Sequence, residues 1–262
     1  MSISNLAEET AFLIEAYTRF RHEYASGCGP RNLAPYGHVE FPTKTPMHLS
    51  MFREMAGEFL RELANELNRL DAYIGQLSTW SETYQAYDTQ EKMCLMMEFI
   101  EPLATLAFGQ PATLRARLVY CVSHTSHQAN LFSVDSWDES KLPKDEAINF
   151  KNMRSCSEHW AEFESFMIAF RNLDDEDWKA LTRGFRNKYH HRIPPRFEVG
   201  QTQFVSRQMG SGGQTSYSFG FCEPIPLRDF IEPLRAQHSA ARACFDAYSD
   251  MLKAQWNTIN IS

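Results

Sequence analysis

No stretch of about 18 uninterrupted apolar residues occurs in this chain, so no membrane-crossing helix and no membrane partner is expected. The nearest approach, Met93 to Phe108, is broken by Glu98, Glu101 and Pro102. The opening MSISNLAEET lacks a basic segment followed by an apolar one, so no signal peptide is expected. Cysteine is sparse and dispersed. Cys28, Cys94, Cys121, Cys156, Cys222 and Cys244 form no CxxC pair, which speaks against a zinc ribbon or a disulfide framework and fits reduced thiols in a cytoplasmic protein. GxSxG and HExxH are both missing, and with them the signals of a serine hydrolase and a zinc peptidase. Internal repeats and low-complexity tracts are absent as well.

The composition itself is ordinary, but the charge is uneven. The 262 residues are 43% hydrophobic and 23% charged, enough for a sizeable core in one large domain spanning 1–262. Lys and Arg number 26 against 33 Asp and Glu, a formal net charge of −7. An acidic average repels a polyanion and excludes nonspecific wrapping of DNA, though not a local basic site.

Hydrophobic periodicity predicts an all-α fold. A first helix is expected over 5–25, with Leu13, Ile14, Tyr17, Phe20 and Tyr24 on its apolar side, then a Gly/Pro-rich loop over 26–46. A long second helix over about 47–77 carries Ala56, Leu60, Leu63, Leu67, Leu70, Ile74 and Leu77 in alternating four- and three-residue steps, the stripe of a bundle core. Further helices are expected over about 89–108, 111–132, 144–171, 175–191 and 226–256. Between the last two the period changes to 2. Residues 197–207 and 216–221 then read as strands joined at Gly210–Gly213, a β-hairpin insertion over 197–221. The expected architecture is a helical bundle of about seven helices with this late hairpin.

The densest cationic segment is Arg183 to Arg196. It holds five Lys/Arg, two His and no acidic residue, about +5 within a chain of −7, so that subtracting it leaves about −12 on the rest. Arg186, Asn187, His190 and His191 are its candidate catalytic residues; Arg183, Lys188, Tyr189, Arg192 and Arg196 are candidates for binding RNA. An arginine offers a fixed fork of donors to phosphate oxygens and to charge developing in a transition state. A histidine titrating near neutrality can take the proton of a ribose 2′-hydroxyl or protonate a leaving oxygen. Tyr189 suits stacking on a base. This chemistry needs neither metal nor cofactor. A five-residue helical step rises about 7.5 Å and turns about 140°, so helix geometry alone does not aim Arg186 and His191 at one point. Arg186 and His190, four apart, lie closer to one face, and the two histidines compete for the active position.

Arg186-Asn187-x-x-x-His191 resembles the Arg-polar-x(3)-His motif of the HEPN superfamily, and Arg192-Ile193-Pro194-Pro195 is similar to the C-terminal surroundings of that motif in some members. The likeness covers about 170–260, and the hairpin departs from a minimal HEPN bundle. It implies a helical bundle that binds RNA or acts as a metal-independent endoribonuclease, often a toxin or defence effector, with active sites formed where two chains meet. By resemblance Arg186 stabilises the phosphate, His191 acts as acid or base, and Asn187 orients them. Implied partners are single-stranded RNA, a second copy of the chain and a protein antitoxin.

Two readings stand beside this one: a noncatalytic scaffold of the same fold binding an anionic partner, and a small-molecule or haem enzyme built around His238 in the last helix. His124 and His127, with Cys121 nearby, are expected on a polar helix surface rather than at a metal. Met93, Met96, Met97 and Phe99 are expected to pack in the core. Glu98 and Glu101 are expected on an exposed polar edge, and Gly210–Gly213 to serve as a turn rather than a phosphate cradle.

Overall fold

A computed structural model describes residues 6–27, 33–37, 39–42, 45–209 and 213–260. Part of the expected loop (28–32, 38, 43 and 44) and three residues of the hairpin turn (210–212) lie outside the described residues. The fold is an all-α bundle with a late two-stranded hairpin. No helix among the described residues is long and apolar enough to cross a membrane.

The first two helices fall where the sequence pattern puts them, but the apolar side expected for the first is only partly covered: Phe20 is buried, Leu13 and Tyr24 are half-buried, and Ile14 and Tyr17 are exposed. α1 spans Leu6–Gly27, and α2 spans Ser50–Thr83 after a single 3-10 turn at Met47–Leu49. All seven residues of the expected α2 stripe, from Ala56 to Leu77, are buried. Deviations begin at the prolines. α3, Thr89–Leu95, starts at a capping box in which Asp88 accepts from the Gln90 and Glu91 amides and Glu91 answers the Asp88 amide. A five-residue π-helical turn, Met96–Ile100, then leads into α4, Glu101–Ser133. Pro102 explains the widened turn: its ring would crowd the Glu98 carbonyl in a regular α-helix and has no N–H to offer it. Met96 stays buried, but Met93 and Met97 are 50% and 73% exposed, against the expectation of core packing.

The break expected between residues 108 and 111 does not occur, since α4 continues through Pro111. Ala104, Ala107 and Phe108 before it, and Ala112, Leu114, Leu118 and Val122 after it, are all buried. Their burial outweighs the ~3 kcal/mol of an interior proline. Conversely, two expected helices are divided. The one over 144–171 becomes α5, Phe150–Ser157, and α6, Glu162–Phe170, with a turn between them where the Trp160 indole donates to Asn130 at 2.9 Å. The one over 175–191 becomes α7, Glu176–Leu181, and α8, Phe185–His191. The final helix, α9, spans Arg228–Ile259. Between α8 and α9, β1 (Val205–Met209) pairs antiparallel with β2 (Thr215–Phe219), shorter than the expected strands.

The described residues pack as two compact units, one drawing on those within 1–31, 72–109 and 176–235, the other on those within 32–71, 110–175 and 236–262. In the first, Phe20 stacks on Trp80 at 4.3 Å and Trp80 on Phe99 at 5.5 Å. A separate cluster gathers Trp178, Phe185, Phe197 and Phe230 around Phe108, with ring centroids 5.0–5.6 Å away. In the second, Arg115 lies 4.0 Å over the Phe170 ring and donates to the Phe170 carbonyl at 2.6 Å, satisfying the end of α6. Glu66 is buried there, held by Arg69 and Arg117 at 3.0 Å each and by Gln110.

His124 and His127 belong to this second unit and depart from the expected polar surface. His127 is 2% exposed. Its Nδ1 accepts from the Trp137 indole at 3.0 Å, so in the neutral ring Nε2 carries the proton and faces Glu139 at 3.1 Å. Burial is possible because both ring nitrogens have partners. His124 Nε2 meets Asp145 at 3.3 Å in ion-pair rather than hydrogen-bond geometry. Cys121 is buried, and burial pushes its thiol well above the ordinary range. Among the described residues no three His, Cys, Asp or Glu side chains are grouped to hold a metal ion. His238 is half-buried and held below the ordinary histidine value by that burial, against the opposing effect of Asp71.

Candidate RNA-binding site

The basic segment is presented by a short helix whose start is fixed by backbone chemistry. At the end of α7 the Gly184 amide donates to the Lys179 carbonyl at 2.8 Å and the Arg183 amide to the Ala180 carbonyl at 3.0 Å. This is the paired bonding of a Schellman motif. It needs left-handed backbone, and Arg183 and Gly184 supply it at φ 53° and 66°. The chain turns there and restarts as α8. Phe185, the first residue of α8, is buried against Phe108 and Phe197 at 5.4 and 5.0 Å. That anchor decides which side of α8 faces inward.

The rest of α8 faces out. Arg186, Asn187, Tyr189, His190 and His191 are exposed, and Lys188 is half-buried. Tyr189 stacks on Phe185 at 5.9 Å and meets the edge of His190 at 5.5 Å. His190 and His191 lie 6.2 Å apart between ring centroids. His191 is still helical, and the Arg192 amide closes the last turn on the Lys188 carbonyl at 2.7 Å. The helical step therefore applies to it, leaving Arg186 and His191 about 140° apart around the axis and Arg186 and His190 about 40° apart.

The cations divide into two groups. Arg183 donates to the Glu223 carbonyl at 2.6 Å and to Cys222 Sγ at 3.4 Å, and Arg196 pairs with Glu101 at 2.6 Å. These two brace the segment. That pair also modifies the expected polar edge: Glu98 is exposed, but Glu101 is half-buried and engaged. Arg186, Lys188 and Arg192 make no ion pair among the described residues, so their charge is open to a ligand. Beyond α8, Pro195 and Phe197 are buried, and the Ile225 amide donates to the Arg196 carbonyl at 2.8 Å. The Glu198 carboxylate accepts the Leu227 amide at 2.6 Å, which ties the chain just after the basic segment to the residue before α9.

Sequence reasoning missed the outward-facing aromatic residues of the hairpin, Phe204, Tyr217, Phe219 and Phe221. Their alternation was visible; which face was covered was not. Two cavities, ≈ 420 Å³ beside α5 and α6 and ≈ 370 Å³ beside α2 and α4, are lined by residues of the second unit and include none of the α8 candidates. No protein-family model, curated protein or solved structure matches the chain.

Proposed function

We infer that the chain is an RNA-binding protein of HEPN-like type, acting on single-stranded RNA through α8 as a metal-independent endoribonuclease. The observation that carries this reading is the exposure of Arg186, Asn187, His190 and His191 on one short helix, flanked by Lys188 and Arg192, which have no acidic partner among the described residues. Arg186 grips the phosphate and offsets the charge that builds on its oxygens. A histidine takes the 2′-hydroxyl proton as that oxygen attacks phosphorus, and a second imidazole protonates the departing 5′-oxygen. Asn187 orients the phosphate.

On one α8, Arg186 and His190 share a face, which favours them as a pair; His191 enters the same reaction when a second copy brings its own α8 alongside. The test is cleavage of labelled single-stranded RNA in EDTA. Arg186→Ala should abolish cutting with the fold intact, and His190→Ala and His191→Ala rank the two imidazoles. Cutting unaffected by all three variants contradicts the catalytic assignment.

The angular separation of Arg186 and His191 favours a second reading, a noncatalytic binder of RNA or another polyanion. It predicts salt-sensitive RNA binding with no loss of substrate.

A further inference from the structure

The β-hairpin turns its apolar face to solvent. Strand alternation puts Val205, Arg207 and Met209 on one face, and the register pairs them with Phe219, Tyr217 and Thr215. On that face Phe219 is 85%, Met209 74% and Tyr217 64% exposed. The opposite face carries Ser206 and Ser218, half-buried, with their hydroxyls 2.7 Å apart. A hairpin that only covered a core would do the reverse, burying rings and showing serines. Two-stranded ribbons are marginal without cover, and a contiguous exposed apolar face marks a binding surface.

The root of the hairpin is tied to both ends of α8. Gln203 Nε2 donates to the Ile193 carbonyl at 3.0 Å and Thr202 Oγ1 to the Pro194 carbonyl at 3.4 Å. Arg183, just before α8, holds the far side through the Glu223 carbonyl at 2.6 Å. The aromatic face thus belongs to the same stretch of structure as the cationic helix.

Charge decides the occupant. From Arg183 to Phe221 there are six Lys/Arg and a single acidic residue, Glu198, whose carboxylate is already engaged by the Leu227 amide. Arg207 sits within the aromatic face, its guanidinium 3.2 Å from Thr215 Oγ1. Two copies docking through this face would set Arg207 against Arg207. A single-stranded polyanion neutralises the charge, and each of its bases offers a flat face to a ring.

We propose that the outward face of the hairpin is a base-stacking platform for single-stranded RNA whose phosphates are held by α8. Tyr217 and Phe219 receive bases, and Arg207 meets the backbone between them. This deepens, and rests on, the RNA reading of α8.

The experiment is fluorescence anisotropy of a labelled oligouridine of about 16 nucleotides. Tyr217→Ala and Phe219→Ala should each weaken binding roughly 5- to 150-fold, the range for loss of one stacked base, with the salt slope unchanged. Both side chains are exposed, so thermal unfolding should match the parent. Phe219→Trp should keep the affinity and gain an indole emission that oligouridine quenches, a readout that stands if an alanine variant misfolds. Unchanged affinity in the alanine variants overturns the platform and leaves α8 as the RNA site. Hairpin-dependent binding without cutting supports the platform and removes only the nuclease step. An absence of binding by the parent overturns both. A dimer that dissociates in the alanine variants with RNA affinity unchanged assigns the face to a second copy and overturns the proposal.

Discussion

Two histidines of the second unit carry a pH dependence that their surroundings dictate. Burial lowers the values of both His124 and His238, more than Asp145 and Asp71 respectively raise them; His127 beside His124, and Arg242 beside His238, push the same way as burial. An unfolded histidine takes its proton near pH ~6.5, while these folded ones wait for a lower pH. Unfolding therefore binds protons, and stability is flat above that value and falls as pH drops through it. The melting temperature should decline between about pH 7.5 and pH 5.5, and His124→Gln with His238→Gln should flatten the decline. Equal slopes in parent and variant would remove the assignment. His127 shows where single-residue reading stops. Its partners Trp137 and Glu139 come ten and twelve residues later from a loop, and no helical period announces them.

The α7–α8 junction is the element on which the site depends. Gly184 stands at φ 66° with nothing within 4 Å of where a Cβ would be, so Gly184→Ala tests backbone strain without a clash. It should cost about 1 kcal/mol, read as a shift in the urea midpoint at unchanged slope. The same junction illustrates what the sequence made legible. The α2 stripe was readable because one face of a long regular helix repeats its pattern many times. The basic segment was readable from composition alone. The division at Arg183–Gly184 was not, since a lone glycine is tolerated inside helices and only the Schellman bonds convert it into an end. Pro111 failed in the other direction: it looked like the first residue of a new helix, but buried residues on both sides of it outweigh one missing donor. In the hairpin, alternation predicted strands, while the exposure of Tyr217 and Phe219 depends on what covers the serine face.

For the whole molecule, the unevenness of charge matters more than its sum. A chain at −7 with a +5 segment carries about −12 on the rest, so under the proposed RNA reading a polyanion is repelled elsewhere and gripped at that segment. Within the basic segment Arg183 and Arg196 are bonded internally, which leaves Arg186, Lys188 and Arg192, among the described residues, as the cations proposed to meet phosphates there. The most direct measurement is the salt dependence of oligouridine affinity for the parent chain and for the triple variant Arg186→Ala/Lys188→Ala/Arg192→Ala. Each phosphate contact contributes about 0.7 to the slope of log affinity against log salt for a single strand, so the triple variant should bind more weakly with a slope smaller by about 2. An unchanged affinity and an unchanged slope would contradict the assignment of α8 as the RNA site.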